Sequence, residues 1–236
     1  MSSLFDPGSL SIFMLGLIMG ARHALDADHI VAVSTLTSEN GNVWRSCVIG
    51  AYWGIGHTIV LLLIGLAVLG FKVAIPEYVA RFFEACVGAM LVGLGLSVGL
   101  SLLREHLHVH PHSHPDHEEG QQHLHVHSHR DDTSHGHLHR FRLEYKSMSI
   151  GMVHGLAGSA LVSLLVLSTV HTVMDGLLYL LLFGAGSIGG MVVLGAILTV
   201  PFALTPKGGG QVHRAMRAVA GLASLALGSS ILYGLA

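Results

Sequence analysis

Charge is what this chain has least of. Only 11% of its 236 residues are charged, against about a quarter in a typical soluble domain, so most of it cannot present a water-facing surface. Cysteine is almost absent too. Cys47 and Cys86 form no CxxC pair, which excludes a disulfide framework and a thiolate metal site and leaves both as small apolar packing residues. No Lys or Arg occurs in the first 21 residues, so the basic n-region of a cleavable signal peptide is missing and the first apolar run is expected to stay in the mature protein. There is no GxxxxGK[ST] loop, which removes ATP as a direct driver of whatever the chain does. No HExxH is present, and the hydrophobic body holds none of the clustered histidine boxes of a membrane di-iron oxygenase, so the chain is not expected to be an enzyme. A net charge of −2 gives no reason to expect nucleic acid as a partner.

Apolar residues and glycine fill the space instead, at 51% and 30 residues. A helix that crosses a bilayer needs about 20 mostly apolar residues. Six stretches qualify, near 9–36, 46–71, 79–103, 147–172, 176–203 and 214–235. The expected fold is therefore an all-α polytopic membrane protein in a cell (inner) membrane. Orientation follows from the basic residues, because short cytoplasmic loops collect Lys and Arg. With the N-terminus external, Arg45, Arg104, Arg130, Arg140, Arg142, Lys146, Lys207, Arg214 and Arg217 face the cytoplasm and only Lys72 and Arg81 face out. The polar segment 104–146 is then cytoplasmic.

That segment divides the chain into residues 1–103 and 147–236, with three expected spans in each. The halves resemble each other. Gly20-Ala21-Arg22-His23-Ala24-Leu25 is echoed by Gly151-Met152-Val153-His154-Gly155-Leu156, and Trp53-Gly54-Ile55-Gly56-His57 by Phe183-Gly184-Ala185-Gly186-Ser187. The third spans open with Arg81-Phe82-Phe83-Glu84 and Arg214-Ala215-Met216-Arg217, with Gly88 and Gly221 four residues on. Three spans are an odd number, so the second copy enters the membrane in the opposite direction. Two inverted three-helix repeats are the expectation, with a substrate site near the midplane where they meet.

The densest chemistry lies in the first span, in Arg22-His23-Ala24-Leu25-Asp26-Ala27-Asp28-His29. An Asp or Arg at the centre of a membrane helix costs about 2.5–3.5 kcal/mol on insertion scales, so such groups need a compensating purpose. Imidazole suits Zn, Cu, Fe and Ni, whereas carboxylates alone suit Mg, Ca or Mn. The mixture points to a borderline transition metal. At about 100° per residue His23, Asp26 and His29 line one slowly rotating face while Asp28 lies about 140° from His23. A straight helix cannot aim all four at one ion. Either Asp28 pairs with Arg22, or it fixes a histidine tautomer from outside the ligand set, or the helix unwinds, and Gly16, Gly20 and Ala21 make a break plausible.

This stretch resembles the signature of the nickel/cobalt transporter family, His-x₄-Asp-His within a membrane helix. Gly54-Ile55-Gly56-His57-Thr58 resembles the Gly-His-Ser/Thr motif of that family's next span, and Gly151-Met152-Val153-His154-Gly155 the corresponding motif of its small urease-accessory-like branch. The resemblance implies uptake of Ni²⁺ or Co²⁺, with the signature residues His23, Asp26, Asp28 and His29 as metal contacts. It implies no cofactor beyond the transported ion. The implied partners are the bilayer and cytoplasmic nickel chaperones. Larger members have about eight spans against the six expected here, and a related branch exports the same metals, so direction stays open.

His57 and His154, each beside glycines that let another backbone approach, are expected to join the site; His154 aligns with His23 in the repeat. His171, Asp175 and His213 are expected to face solvent or headgroups. Residues 106–139 hold thirteen of the nineteen histidines, largely in His-x-His alternation. Such a tract cannot bury a core and is expected to be disordered without metal. Its neutral imidazoles suit it to buffering or sensing a borderline metal, more weakly below about pH 6 as they protonate. The expected sequence of events is entry from outside, exchange of waters for His23, Asp26 and His29, and passage inward as the two halves rock. An intramembrane metalloenzyme and a metal sensor without transport are the competing classes, and the sensor leaves the buried carboxylates unexplained.

Overall fold

A computed structural model describes residues 7–38, 41–71, 75–106, 137–156, 173–205 and 210–235. Among them the chain is helical throughout: α1 Pro7–His23, α2 Ala27–Thr37, α3 Val43–Phe71, α4 Glu77–His106, α5 His137–His154, α6 Val173–Leu204 and α7 Gln211–Leu235. Four contain stretches long and apolar enough to cross a membrane, Val43–Val68, Glu77–Arg104, Met174–Leu204 and Gln211–Leu235. They coincide with four of the six expected spans. The 29 residues of α3, at a rise of about 1.5 Å each, reach about 44 Å, more than a hydrocarbon core of about 30 Å.

Residue chemistry sets the helix boundaries. Asn42 starts α3, its side-chain oxygen accepting from the Arg45 backbone N–H at 3.1 Å and its carbonyl from Ser46 at 3.1 Å, the role of an N-cap. Pro76, unable to continue a preceding helix, offers its carbonyl to the backbone N–H groups of Val79 and Ala80 at 3.0 and 3.1 Å.

The expected first span, 9–36, is not one helix. At its middle the bonding tightens from Ala24 N–H to Gly20 O (3.2 Å) into Leu25 N–H to Arg22 O (2.9 Å) and Asp26 N–H to His23 O (3.1 Å). Asp26 then adopts an extended backbone at φ −63° and ψ 149°, and α2 starts afresh. Neither half, 17 and 11 residues long, spans a bilayer alone. The same ending recurs at α5, where Gly155 N–H bonds Gly151 O at 2.8 Å and Leu156 N–H bonds Val153 O at 3.3 Å. Residues 157–172, the rest of the expected fourth span, lie outside the described residues. Helix also covers both ends of the expected linker, since α4 runs to His106 and α5 starts at His137; residues 107–136 lie outside the described residues.

The helices pack mainly on partners from the other half of the chain: α3 along α6 and α5, α1 along α6, and α4 along α7. Lipid is as apolar as these side chains, so association rests on close van der Waals packing, which small residues permit. A Cβ on Gly20 would overlap the Phe183 carbonyl and one on Gly151 would overlap the Trp53 carbonyl. A rocking of residues 1–103 against 147–236 would have to part α1 from α6, α5 from α3 and α4 from α7 together. The short α2 packs on α6, α7 and α4, so the half-helix carrying Asp28 and His29 lies between the α4/α7 pair and the remaining helices.

Candidate metal centre

Two matched helix ends meet inside the bundle. His23 closes α1, His154 closes α5, Asp28 and His29 open α2, and His57 lies midway along α3. The four imidazoles are buried, with His29 and His154 at 0% exposure. Partly negative carbonyl ends of α1 and α5 are therefore directed at the same region, which favours a cation there.

The rings stand in mutual contact. His29 lies with its centroid 4.0 Å from His154, 4.6 Å from His23 and 5.4 Å from His57. Asp28 links two of them: His29 Nδ1 donates to Oδ1 at 3.1 Å and His154 Nε2 donates to Oδ2 at 3.0 Å. His23 Nδ1 donates to Asp26 Oδ2 at 2.9 Å. A carboxylate only accepts, so each of these three imidazoles places its proton on the carboxylate side, and in the neutral ring the other nitrogen carries a lone pair. Carboxylates behind metal-binding histidines do the same work, fixing the tautomer and raising the basicity of the donor.

One of the resulting lone pairs, on His23 Nε2, faces His57 Nε2, which donates to it at 3.1 Å, a bond that an ion shared by the two nitrogens would replace. With metal–nitrogen distances of about 2.0–2.1 Å, typical of imidazole on zinc, two such nitrogens subtend about 95–100° at a shared ion. Buried and without a hydrogen-bond partner are His29 Nε2, His57 Nδ1 and His154 Nδ1. Such atoms in a native core call for a ligand or a conformational role. Two sets of donor atoms lie within 4.8 Å of one another, His23/His29/His57 and Asp28/His29/His154.

The structure thus brings together five of the six residues singled out from sequence: His23, Asp28, His29, His57 and His154. Asp26 takes another position. Its side chain is 44% exposed and turned back to His23, outside both donor sets. Asp28 does not turn to Arg22; its two oxygens are taken by His29 and His154, and the helix break supplies the convergence a straight helix could not. His171 lies outside the described residues, Asp175 sits in the first turn of α6, and His213 is partly buried against Phe202, 3.0 Å from Thr205 Oγ1.

Two aromatic residues that spacing did not single out complete the walls. Trp53 is fully buried, 5.6 Å from His154 and 6.5 Å from His29 between centroids, and Phe183 is 5.4 Å from His23. Their signal was present in the repeat, which aligns Trp53 with Phe183. They keep water from the imidazoles and lower the dielectric around any bound charge.

A helical membrane protein with a buried, carboxylate-oriented histidine cluster is the class that this fold and site define. The chain belongs to the NicO family, whose model, described as high-affinity nickel-transport protein, matches residues 9–205. It is 37% identical over 226 residues, 96% of this chain and 92% of the relative, to the urease accessory protein UreH of Bacillus sp. (strain TB-90). A shorter match, 30% over 105 residues, relates 41% of this chain to 27% of the hydrogenase nickel incorporation protein HupN of Bradyrhizobium diazoefficiens. No solved structure matches significantly.

Proposed function

We propose that the chain takes up Ni²⁺, and Co²⁺ by the same chemistry, across a cell membrane through the cluster of His23, Asp28, His29, His57 and His154. One observation carries this reading. Four buried imidazoles and a carboxylate held by two of them converge where two helices end inside an apolar bundle. An imidazole-rich donor set with a carboxylate selects a borderline divalent ion over Mg²⁺ or Ca²⁺. Asp26, bonded to His23 and half exposed, fits a first contact for an arriving ion.

The inverted repeat is part of the proposal, and reciprocal packing supports it. Matching Gly20 with Gly151 and Trp53 with Phe183 shifts the numbering by 131 and 130. Three close contacts then have counterparts with the halves exchanged: Gly20 on Phe183 and Gly151 on Trp53, Gly56 on Met148 and Gly186 on Leu17, Gly54 on Ile188 and Gly184 on Thr58. In the third helices, Gly88 on Gly228 answers Gly221 on Gly95. Six passages, counting α1 with α2 as one and α5 with residues 157–172 as another, put both ends outside and the His-rich segment 104–146 in the cytoplasm. There it would receive the ion and pass it to nickel chaperones. Residues 1–103 and 147–236 are the two interleaved repeats.

The test is metal accumulation by cells producing the wild type or His23→Ala. Wild-type cells should accumulate Ni²⁺ and the variant should not. Equal accumulation removes transport through this cluster, and a lower metal content in wild-type cells than in the variant reverses the direction to export.

A further inference from the structure

We infer that the cluster is two metal stations sharing one ligand, and that His29 hands the ion from the first, His23/His29/His57, to the second, Asp28/His29/His154. The inference rests on the transport reading above and adds to it the path of the ion inside the site. Both donor sets have their atoms within 4.8 Å, and His29 is the residue common to them. Its ring is also the central one, 4.6 Å from His23 and 4.0 Å from His154. Its two nitrogens are differently committed. Nδ1 faces Asp28 Oδ1 at 3.1 Å, whereas Nε2 is buried without a partner.

Direction comes from the two helix ends. His23 is carried inward on α1 and His154 on α5, helices that occupy matching places in the two halves and approach from opposite faces in the proposed orientation. A first station on His23 and His57 therefore belongs to the external side, and a second on His154 and Asp28 to the cytoplasmic side. The stations differ in charge. The first offers three neutral imidazoles, and the second adds a carboxylate, which holds a dication more strongly and draws it onward. In the first station His29 binds through Nε2 with its proton on Nδ1. In the second, His29 binds through Nδ1 and His154 through Nε2, so the proton of each ring moves from the nitrogen facing Asp28 to the opposite one, Nε2 of His29 and Nδ1 of His154, and each ring stays neutral. Because His29 serves both, one ion occupies the pair at a time, and charge repulsion between two dications a few ångströms apart reinforces this.

Purified full-length chain in detergent and in liposomes tests the idea with Ni²⁺ for binding and flux and with Co²⁺ for absorption spectra. Counted beyond the ions that a peptide of residues 106–139 takes up on its own, wild type should bind one ion, and the Co²⁺ spectra are read after subtracting the peptide's. His57→Gln and His154→Gln should each still bind one ion, about 10–100-fold more weakly. Flux should fall further than the binding loss accounts for in both. Their Co²⁺ spectra should differ, from an all-nitrogen environment in His154→Gln to one with a carboxylate oxygen in His57→Gln. Asp28→Asn disables the second station independently and should match His154→Gln in spectrum, which covers a variant that fails to fold. Two ions per wild-type chain beyond those of the tract, identical spectra in the two histidine variants, or wild-type flux in either one would overturn the handover. Wild-type liposomes without flux would overturn transport instead, while the stoichiometry and spectra still decide between one station and two.

Discussion

Asp28 Oδ2 meets His154 Nε2 at 3.0 Å across 126 residues of chain, while its other oxygen holds His29 Nδ1 at 3.1 Å. One carboxylate thus fixes the tautomers of two imidazoles on different helices.

Asp28→Asn should separate orientation from bulk. Asparagine keeps the shape but offers a single accepting oxygen and no charge, so at most one of the two rings keeps an acceptor with its other lone pair presented. Loss of a carboxylate behind a metal-binding histidine typically costs 10–100-fold in affinity, and about that loss is expected for Ni²⁺. Isothermal titration of the purified variant reads it. An unchanged dissociation constant would mean that Asp28 neither orients nor binds.

Gly20 and Gly151 should be equally intolerant of a methyl group, because a Cβ at either would overlap a backbone carbonyl, that of Phe183 or of Trp53. Overpacking of this kind costs about 1–3 kcal/mol, so Gly20→Ala and Gly151→Ala should each lower Tm in detergent. Gly93→Ala and Gly99→Ala, with nothing within 4 Å of the new Cβ, should raise or preserve it, since Ala is the better helix former by about 0.5–1 kcal/mol in the helix interior. Similar Tm values for all four variants would contradict the close packing.

The spacing of His23, Asp26, Asp28 and His29 showed in advance that one straight helix could not gather them, and the break at Ala24–Asp26 is how the chain resolves that conflict. His57 and His154, the two histidines beside glycines, both lie in the cluster. Periodicity fixes angles along one helix but says nothing about which helix lies opposite. The bond from Asp28 to His154, the turn of Asp26 towards His23 and the place of Trp53 beside two imidazoles were therefore not legible. The same limit hides the interleaving of the two halves. Chain order places α1 to α4 in one half, but α1 and α3 find their closest neighbours in α6 and α5.

Acidification should release metal from the histidine tract. A peptide of residues 106–139 carries thirteen imidazoles, each a ligand only when neutral, with an ordinary pKa of about 6.5. Metal and proton compete, so Ni²⁺ affinity should be full well above that value and fall as pH drops through it. Binding curves at pH 7.5 and 5.5 should show strong retention at the first and near-complete loss at the second. In the whole protein, removing residues 107–136 should leave Ni²⁺ flux measurable but less efficient. Abolished flux would make the tract part of the path.

Trp53 should report directly on metal in the site. The chain has two tryptophans, and they differ sharply: Trp44 is 73% exposed, whereas Trp53 is fully buried within 5.6 Å of the His154 ring and 6.5 Å of the His29 ring. Trp44→Phe removes the exposed emitter without touching the cluster and leaves a single fluorophore beside the imidazoles. An open-shell ion such as Ni²⁺ or Co²⁺ within van der Waals reach of the neighbouring rings quenches indole emission efficiently at this range. Titration of Trp44→Phe with Ni²⁺ should therefore quench most of the remaining emission and saturate. Adding His29→Ala, which removes a donor common to both sets, should abolish saturable quenching without shifting the emission maximum of the buried indole. Mg²⁺, which favours an all-oxygen environment, should leave the emission unchanged. Quenching that persists in the His29→Ala background at the same concentration would place the ion elsewhere, and the His-rich tract would be the first place to look for it, by repeating the titration after its removal.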